Sequence, residues 1–433
     1  MNLNNPKNIL LIATTDAGGA GEYMCSLAKL FIKQGQNVTL LVKEKVKSDS
    51  FILQYPLPNK LYKRIFQKLI QKITEYYQPK PNDFDDKYLF YSINEDKVNL
   101  KKSVINGLLR EKIDFIFTGW TSGFINSTDL LNLKRWYNTK IFTIPIDMNV
   151  FTGGCHYAWD CKGYINGCDH SCPAITNPKF KYLAAKNFKI KYSNISTANI
   201  QIIDGGSGWT LNQSKQSYIY KNQEKYITIN SPIDINVFNA KHRTIAKSIF
   251  GFNSKIFYIL CGAQNFKDER KGFSHFINSL KILSQLLTKD EINKIAIIVA
   301  SKSVDVFEDL PFQTHQLDFI TDYRLLSLLY QAADVFVNSS IEDSGPMMVS
   351  EALACGTPVV GFDMGTVHNL VITGHNGYKA ILKDDADLSN GILTIFRLNS
   401  EEYKLFSTNA QKEIIQFASP EYINESLKEI IQG

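Results

Sequence analysis

Asp343 and Glu351 stand eight residues apart in SSIEDSGPMMVSEALACGTPVVGFDMG, where an apolar strand gives way to a glycine-containing turn and then to a helix starting near Met347. That spacing sets one carboxylate ahead of the turn and the other in the second helical turn. Ionised carboxylates only accept hydrogen bonds, so such a pair suits the hydroxyls of a sugar or a ribose. Ser344, Gly345, Met347 and Met348 surround the helix start, whose first N–H groups lack intrahelical partners and carry the positive end of the dipole. A phosphate or diphosphate is the matching anion. Taken alone, the run also fits an ordinary turn with solvated acids. The continuation ALACGTPVVGF favours a ligand site, because Gly356 and Pro358 end the helix and lead straight into another strand, the compact unit of a nucleotide-binding half domain.

Arg270 and Lys271, adjacent in DERKGF, offer two cations to an anion, although a solvated helix start would carry the same pair. Gly18 and Gly19, between an apolar run and a helix in ATTDAGGAGEYM, permit a ligand to approach the backbone closely, and equally serve a tight turn. Cys155, Cys161, Cys168 and Cys172 fall within one short segment, with His156, Asp160, Asp169 and His170 between them. Four thiolates suffice for a tetrahedral structural zinc, but the spacings are irregular for zinc ribbons, so free or disulfide-linked thiols remain the alternative.

The elements that must position these residues follow from periodicity. Asn8–Ala13 reads as a buried strand, followed by a glycine turn, an amphipathic helix and a second strand over Val38–Val42. Further apolar runs follow Asp114 and cover Lys140–Ile146, and a second series restarts at Ile256, Ile295, Val335 and Val359. Two doubly wound α/β domains are the expectation. The extended, proline-containing stretch 230–242 reads as their linker, dividing an N-terminal domain over 1–229, with a cysteine-rich insert at 151–175, from a C-terminal domain over 243–416. The segment 417–433 reads as a terminal helix that begins near Ser419, carries Tyr422, Ile423, Leu427, Ile430 and Ile431 on one face, and packs back on the N-terminal domain.

The chain has 433 residues, 44% of them hydrophobic and 21% charged, which excludes disorder and a single small module. A net charge of +6 is too small to announce nucleic acid but suits anionic ligands or a lipid surface. The opening apolar run is short for a secretory segment and far short of a membrane span, so a soluble protein of the cytoplasm is expected. Residues 58–77 set Leu61, Ile65, Leu69 and Ile73 at helical spacing among Lys60, Lys63, Arg64, Lys68 and Lys72. Such a stretch fits an anionic membrane surface, and also a helix packed on its own domain with a solvated basic side.

The string DSGPMMVSEALACGTPVV resembles the donor-binding signature of the family 4 (group 1) retaining glycosyltransferases. GGAGEYMCSLAKLF resembles that family's N-terminal glycine loop, AQNFKDERKGF its phosphate-binding segment, YQAADVFVNSS the strand before the signature, and SPIDINVF the linker. The resemblance implies a GT-B fold, two Rossmann-like domains with a cleft between them, the C-terminal one holding a nucleotide diphosphate sugar. It puts the two acids of the family's Glu-x7-Glu pattern on Asp343, near the donor sugar, and on Glu351, at the ribose. Asp343 is one methylene shorter than the family's glutamate, with Glu342 beside it. The resemblance also implies that Lys271 meets the diphosphate, with Arg270 substituting for a family arginine expected near Ala263 or Gln264. No catalytic metal is expected, since these cations replace it. The segment FTGGCHY resembles a cysteine-bearing subset of the family in which a His-Asp-Met-Trp string precedes it; here the string reads Ile146-Asp147-Met148-Asn149. Asp147 and His156 are the remaining candidates for contact with the sugar or the acceptor.

The expected function is therefore metal-independent transfer of a hexose-type residue to a glycan or lipid-linked acceptor in cell-surface polysaccharide or glycolipid synthesis, by a protein that is cytoplasmic or peripheral on the inner face of the plasma membrane. One rival is a catalytically silent nucleotide-sugar binder or zinc-stapled scaffold of a polysaccharide assembly complex. Another is a nucleotide-sugar epimerase of the same architecture.

Overall fold

The run NILLIATT forms strand β1 (Asn8–Thr15), buried along its length except at its two ends, as a strand covered on both faces must be. The computed structural model describes the chain apart from residues 1–5, 57–78, 91–93, 110–111, 230–232, 263–264, 266, 302–309, 346, 418–419 and 433. The basic stretch 58–77, Ala263, Gln264 and Ser419 thus lie outside the described residues.

Around β1 the first sheet adds β2 (Asn37–Glu44), β3 (Ile52–Gln54), β4 (Phe115–Thr118), β5 (Lys140–Thr143), β6 (Gln201–Asp204) and β7 (Ile227–Thr228), in the order β3-β2-β1-β4-β5-β6-β7. All neighbours are parallel. The chain builds outward from β1 to β3, then returns to place β4 on the other side of β1. The direction of winding therefore reverses between β1 and β4, and in such sheets ligands bind beyond the strand ends at that reversal. Leu10, Ile12, Ile116, Ile141 and Phe151 lie at the centre of this unit's core.

The second sheet repeats the plan with β8 (Phe257–Gly262), β9 (Ile295–Ala300), β10 (Gln313–Leu317), β11 (Val335–Asn338), β12 (Val359–Phe362) and β13 (Gly377–Ala380), in the order β10-β9-β8-β11-β12-β13, again all parallel. Its reversal falls between β8 and β11. Tyr258, Leu260, Ile298, Phe336, Leu353 and Val359 belong to its core.

The chain divides into two compact units, one of residues 1–205 and 210–228, the other of 206–209 and 229–433. The stretch expected as a linker therefore joins the second unit, with Ile233 and Phe238 buried in that unit's core. The terminal helix, Pro420–Gln432, is likewise grouped with the second unit and meets the helix Ser400–Phe417. It buries Ile423, Leu427 and Ile430, whereas Tyr422 faces solvent, against the expectation. Among the described residues no helix is long and apolar enough to cross a membrane.

Candidate active site

At the carboxyl edge of the second sheet the short turn Glu269–Lys271 ends at Gly272, which takes a left-handed φ of 61°. A Cβ there would lie 1.9 Å from the carbonyl oxygen of Ser339, so only glycine lets this turn press against the chain leaving β11. The contact is stitched by hydrogen bonds. The Ile341 amide donates to the Arg270 carbonyl at 2.8 Å, and the Ser339 hydroxyl to the Lys271 carbonyl at 3.0 Å. The Asp268 carboxylate accepts from the Arg270 amide and pairs with its guanidinium.

This stitching sets Lys271 against Asp343, and the two form an ion pair. Burial alone would push the Asp343 carboxyl up; the Lys271 ammonium, helped by Arg270, outweighs it and holds the group below the usual carboxylate range. Asp343 is thus a carboxylate at neutral pH, and its charge holds the lysine over the strand ends. Sequence spacing alone did not show that two predicted site residues 72 positions apart touch each other.

The helix predicted near Met347 runs Met347–Ala354. Glu351, in its second turn, is buried, and its Oε2 accepts a 2.9 Å hydrogen bond from the hydroxyl of Tyr330. Tyr330 is fully buried, and burial together with the Glu351 charge pushes its phenol well above the ordinary value, so it remains a donor at neutral pH. Tyr330 was not singled out from sequence; its signal was a polar tip on the buried side of the helix Tyr323–Ala332. Ser344 is buried, the Gly345 amide donates to Asp343 Oδ1 at 3.3 Å, and a Cβ on Gly345 would fall 2.9 Å from Thr366 Oγ1. Met348 lies over the end of β8, its methyl 2.6 Å from where a Gly262 Cβ would be. A second residue missed from sequence is Asn338, at the end of β11, whose buried Nδ2 has no hydrogen-bond partner among the described residues. A donor left so at a sheet's carboxyl edge suits an oxygen of a ligand.

At the corresponding edge of the first sheet, Gly18 has φ 71° and Gly19 follows it into the helix Gly18–Lys33; a Cβ on either would meet nothing within 4 Å. The close packing is at Gly21 instead, where a Cβ would lie 2.5 Å from the Asp16 carbonyl carbon. Asp147 and His156 do come together. His156 Nδ1 is 2.6 Å from Asp147 Oδ2, and its Nε2 is 3.0 Å from Ser122 Oγ. His156 and Asp147 are buried, Ser122 half-buried.

The four clustered cysteines share one apolar pocket with Phe84, Tyr88, Phe90, Ile175 and Phe180. All are free thiols, and among the described residues no group of three or more His, Cys, Asp or Glu side chains is arranged to hold a metal ion. The four thiols pack among apolar side chains. A hydrogen bond with Cys155 lowers the Cys172 thiol to about 7 and raises Cys155, so Cys172 is the thiolate-prone member.

The fold so described is GT-B, two Rossmann-like α/β domains. Three solved structures share it over nearly the whole chain. Sucrose-phosphate synthase from Thermosynechococcus elongatus is 14% identical, with a TM-score of 0.65 and 98% of each chain covered. Anabaena HepE, in complex with UDP and glucose, is 15% identical at a TM-score of 0.60, covering 98% of this chain and 99% of that one. WaaG, a glycosyltransferase involved in lipopolysaccharide biosynthesis, is 13% identical at 0.59, covering 98% and 100%. Residues 258–413, the greater part of the second unit, match the family model of the glycosyl transferases group 1. That unit therefore resembles the group 1 glycosyl transferases. None of the curated proteins matches the chain.

Proposed function

We propose that the protein is a retaining glycosyltransferase that takes a hexose-type residue from a nucleotide diphosphate sugar and passes it to an acceptor hydroxyl. The observation that carries this reading is the Lys271–Asp343 pair, held over the end of the second sheet beside the start of Met347–Ala354. Lys271 and Arg270 supply the positive charge that a departing nucleoside diphosphate needs, and the helix start supplies N–H groups to the same anion. Because these cations take the place of a divalent ion, turnover proceeds without one. Asp343 and the Ser344–Met348 turn hold the donor sugar and Glu351 accepts from the ribose hydroxyls, while in the first unit the open space around Gly18 and Gly19 lets a ligand approach the backbone. The leaving phosphate oxygen helps take the acceptor proton on the same face of the sugar, so the configuration at the anomeric carbon is kept. The first unit holds the acceptor, a glycan or a lipid-linked sugar, with Asp147 and His156 at its site.

HepE, solved with UDP and glucose, supports a nucleotide-sugar donor by its shared fold. Synthesis of cell-surface polysaccharide or glycolipid, on the inner face of the membrane with the basic stretch 58–77 against anionic lipid, is the biological setting that fits this chemistry. A second reading is a silent nucleotide-sugar binder, favoured by Ile146 in place of the family's histidine and by the shorter Asp343.

The test is nucleoside diphosphate release from UDP-, GDP- and ADP-sugars by purified protein in EDTA, with sugar and lipid-linked acceptors added. Release from one donor is expected. Binding without release under every condition would favour the silent binder, and neither binding nor release would overturn both readings.

A further inference from the structure

The side chains of Asp147, His156 and Ser122 form a hydrogen-bonded chain whose direction is set at its buried end. An ionised Asp147 can only accept, so the 2.6 Å contact requires a proton on His156 Nδ1. With the imidazole neutral, Nε2 is then bare and accepts the Ser122 Oγ–H across 3.0 Å. The Trp120 indole N–H reaches the same Nδ1 only at 3.4 Å, near the limit of a hydrogen bond, and the shorter carboxylate contact decides the tautomer. Ser122, its own proton committed inward, turns lone pairs outward. It is half-buried, the accessible end of a chain whose other two members are buried.

The chain is also rigidly placed. The Thr14 amide donates to the Trp120 carbonyl and Thr14 Oγ1 donates to the Ser122 carbonyl, both at 2.8 Å, which ties the end of β1 to the loop after β4. The His156 amide is held by the Tyr88 carbonyl at 3.0 Å, and its carbonyl accepts from the Met148 amide at 3.0 Å. Ser122 therefore stands at the reversal between β1 and β4, where a doubly wound sheet binds ligands.

We infer that Ser122, oriented by His156 and Asp147, is a binding site for one hydroxyl group of an uncharged sugar, which donates its proton to Ser122 Oγ. The carboxylate behind the imidazole disfavours phosphate or carboxylate ligands at this point. This rests on the glycosyltransferase reading, in which the first unit receives the acceptor, and it names what that unit recognises. Ser122 touches the sugar; His156 and Asp147 are positioning residues that act through it.

The experiment titrates full-length protein with methyl glucoside, galactoside and mannoside by saturation-transfer NMR, and separately with UDP, GDP and ADP by calorimetry. Wild type is expected to bind at least one methyl glycoside at millimolar concentration, and S122A to bind it on the order of tenfold more weakly, as for loss of one hydrogen bond in a site built to make it. Nucleotide affinity should stay within twofold. D147N is the polarity control. An amide there donates to Nδ1, moves the ring proton to Nε2 and releases the Ser122 proton, so D147N should weaken glycoside binding without lowering the melting temperature of S122A further in the double variant. If no methyl glycoside binds, or if S122A and D147N bind as wild type does, the inference is overturned while the donor reading stands. If no nucleotide binds, the donor reading fails, and the inference falls with it.

Discussion

The carboxyl edges of the two sheets answer the same topological problem with different chemistry. In the second unit the edge is charged: Lys271 against Asp343, Arg270 against Asp268, and Glu351 held by Tyr330. In the first the edge carries a relay of hydroxyl, imidazole and carboxylate that presents a neutral serine outward. A diphosphate needs opposed charges that are balanced while the site is empty. A sugar hydroxyl needs only a hydrogen-bonding atom whose direction is settled in advance. The difference extends to the glycines, since Gly272 is crowded by the Ser339 carbonyl whereas Gly18 has open space around its Cα.

Alanine at those two glycines is the sharpest break in the comparison. Both have positive φ, yet Gly272→Ala also drives a methyl into the Ser339 carbonyl and is expected to cost about 3–5 kcal/mol in denaturant unfolding, whereas Gly18→Ala should cost about 1–2 kcal/mol of backbone strain. Equal losses would mean that crowding does not distinguish the two edges.

Lys271→Ala comes next. It removes the cation proposed to meet the leaving diphosphate, and nucleotide release should fall roughly 100–1,000-fold. The first-unit variant Ser122→Ala should leave nucleotide affinity alone, so the two together separate the edges by function.

The charged edge also carries a pH signature. The Asp343 carboxyl is held below its unfolded value, so its pairing contributes stability above about pH 4, the ordinary value for an aspartate, and that contribution is lost as pH falls through the folded value. Asp343→Asn should lower stability at pH 7 and narrow its difference from wild type as unfolding is measured from pH 5 towards pH 2. A difference independent of pH would argue against the ion pair.

The smallest effect expected is from Tyr330→Phe, which keeps the ring and deletes only the hydrogen bond to Glu351. Donor KM should rise about fivefold with kcat nearly unchanged, corresponding to about 1 kcal/mol. A fall in kcat with constant KM would place Glu351 in the chemical step instead of in donor binding.

Much of the second unit was legible because its elements are local. The strand, turn and helix around Asp343 and Glu351 follow from an apolar run, a glycine and the spacing of the acids, and the strands at Ile256, Ile295, Val335 and Val359 were readable as unbroken apolar runs. Strands β7 and β10 were not, since one is two residues long and the other, QTHQL, carries little apolar character. The arrangement of the cysteine segment was not legible for a related reason. Four thiols close in sequence suggest a metal, but whether they converge with ligand geometry depends on a loop folded against Phe84, Phe90 and Ile175 from distant parts of the chain.

The sequence by itself determined the two-series α/β plan, the helix start at Met347 and the identity of the charged residues near it, because hydrophobic period and turn chemistry act over a few residues. Only the tertiary structure decided that Lys271 meets Asp343, that Tyr330 holds Glu351, and that Ser122 joins His156 and Asp147. Each of those contacts joins helices, turns or loops that the crossover connections of a parallel sheet bring side by side from separate parts of the chain.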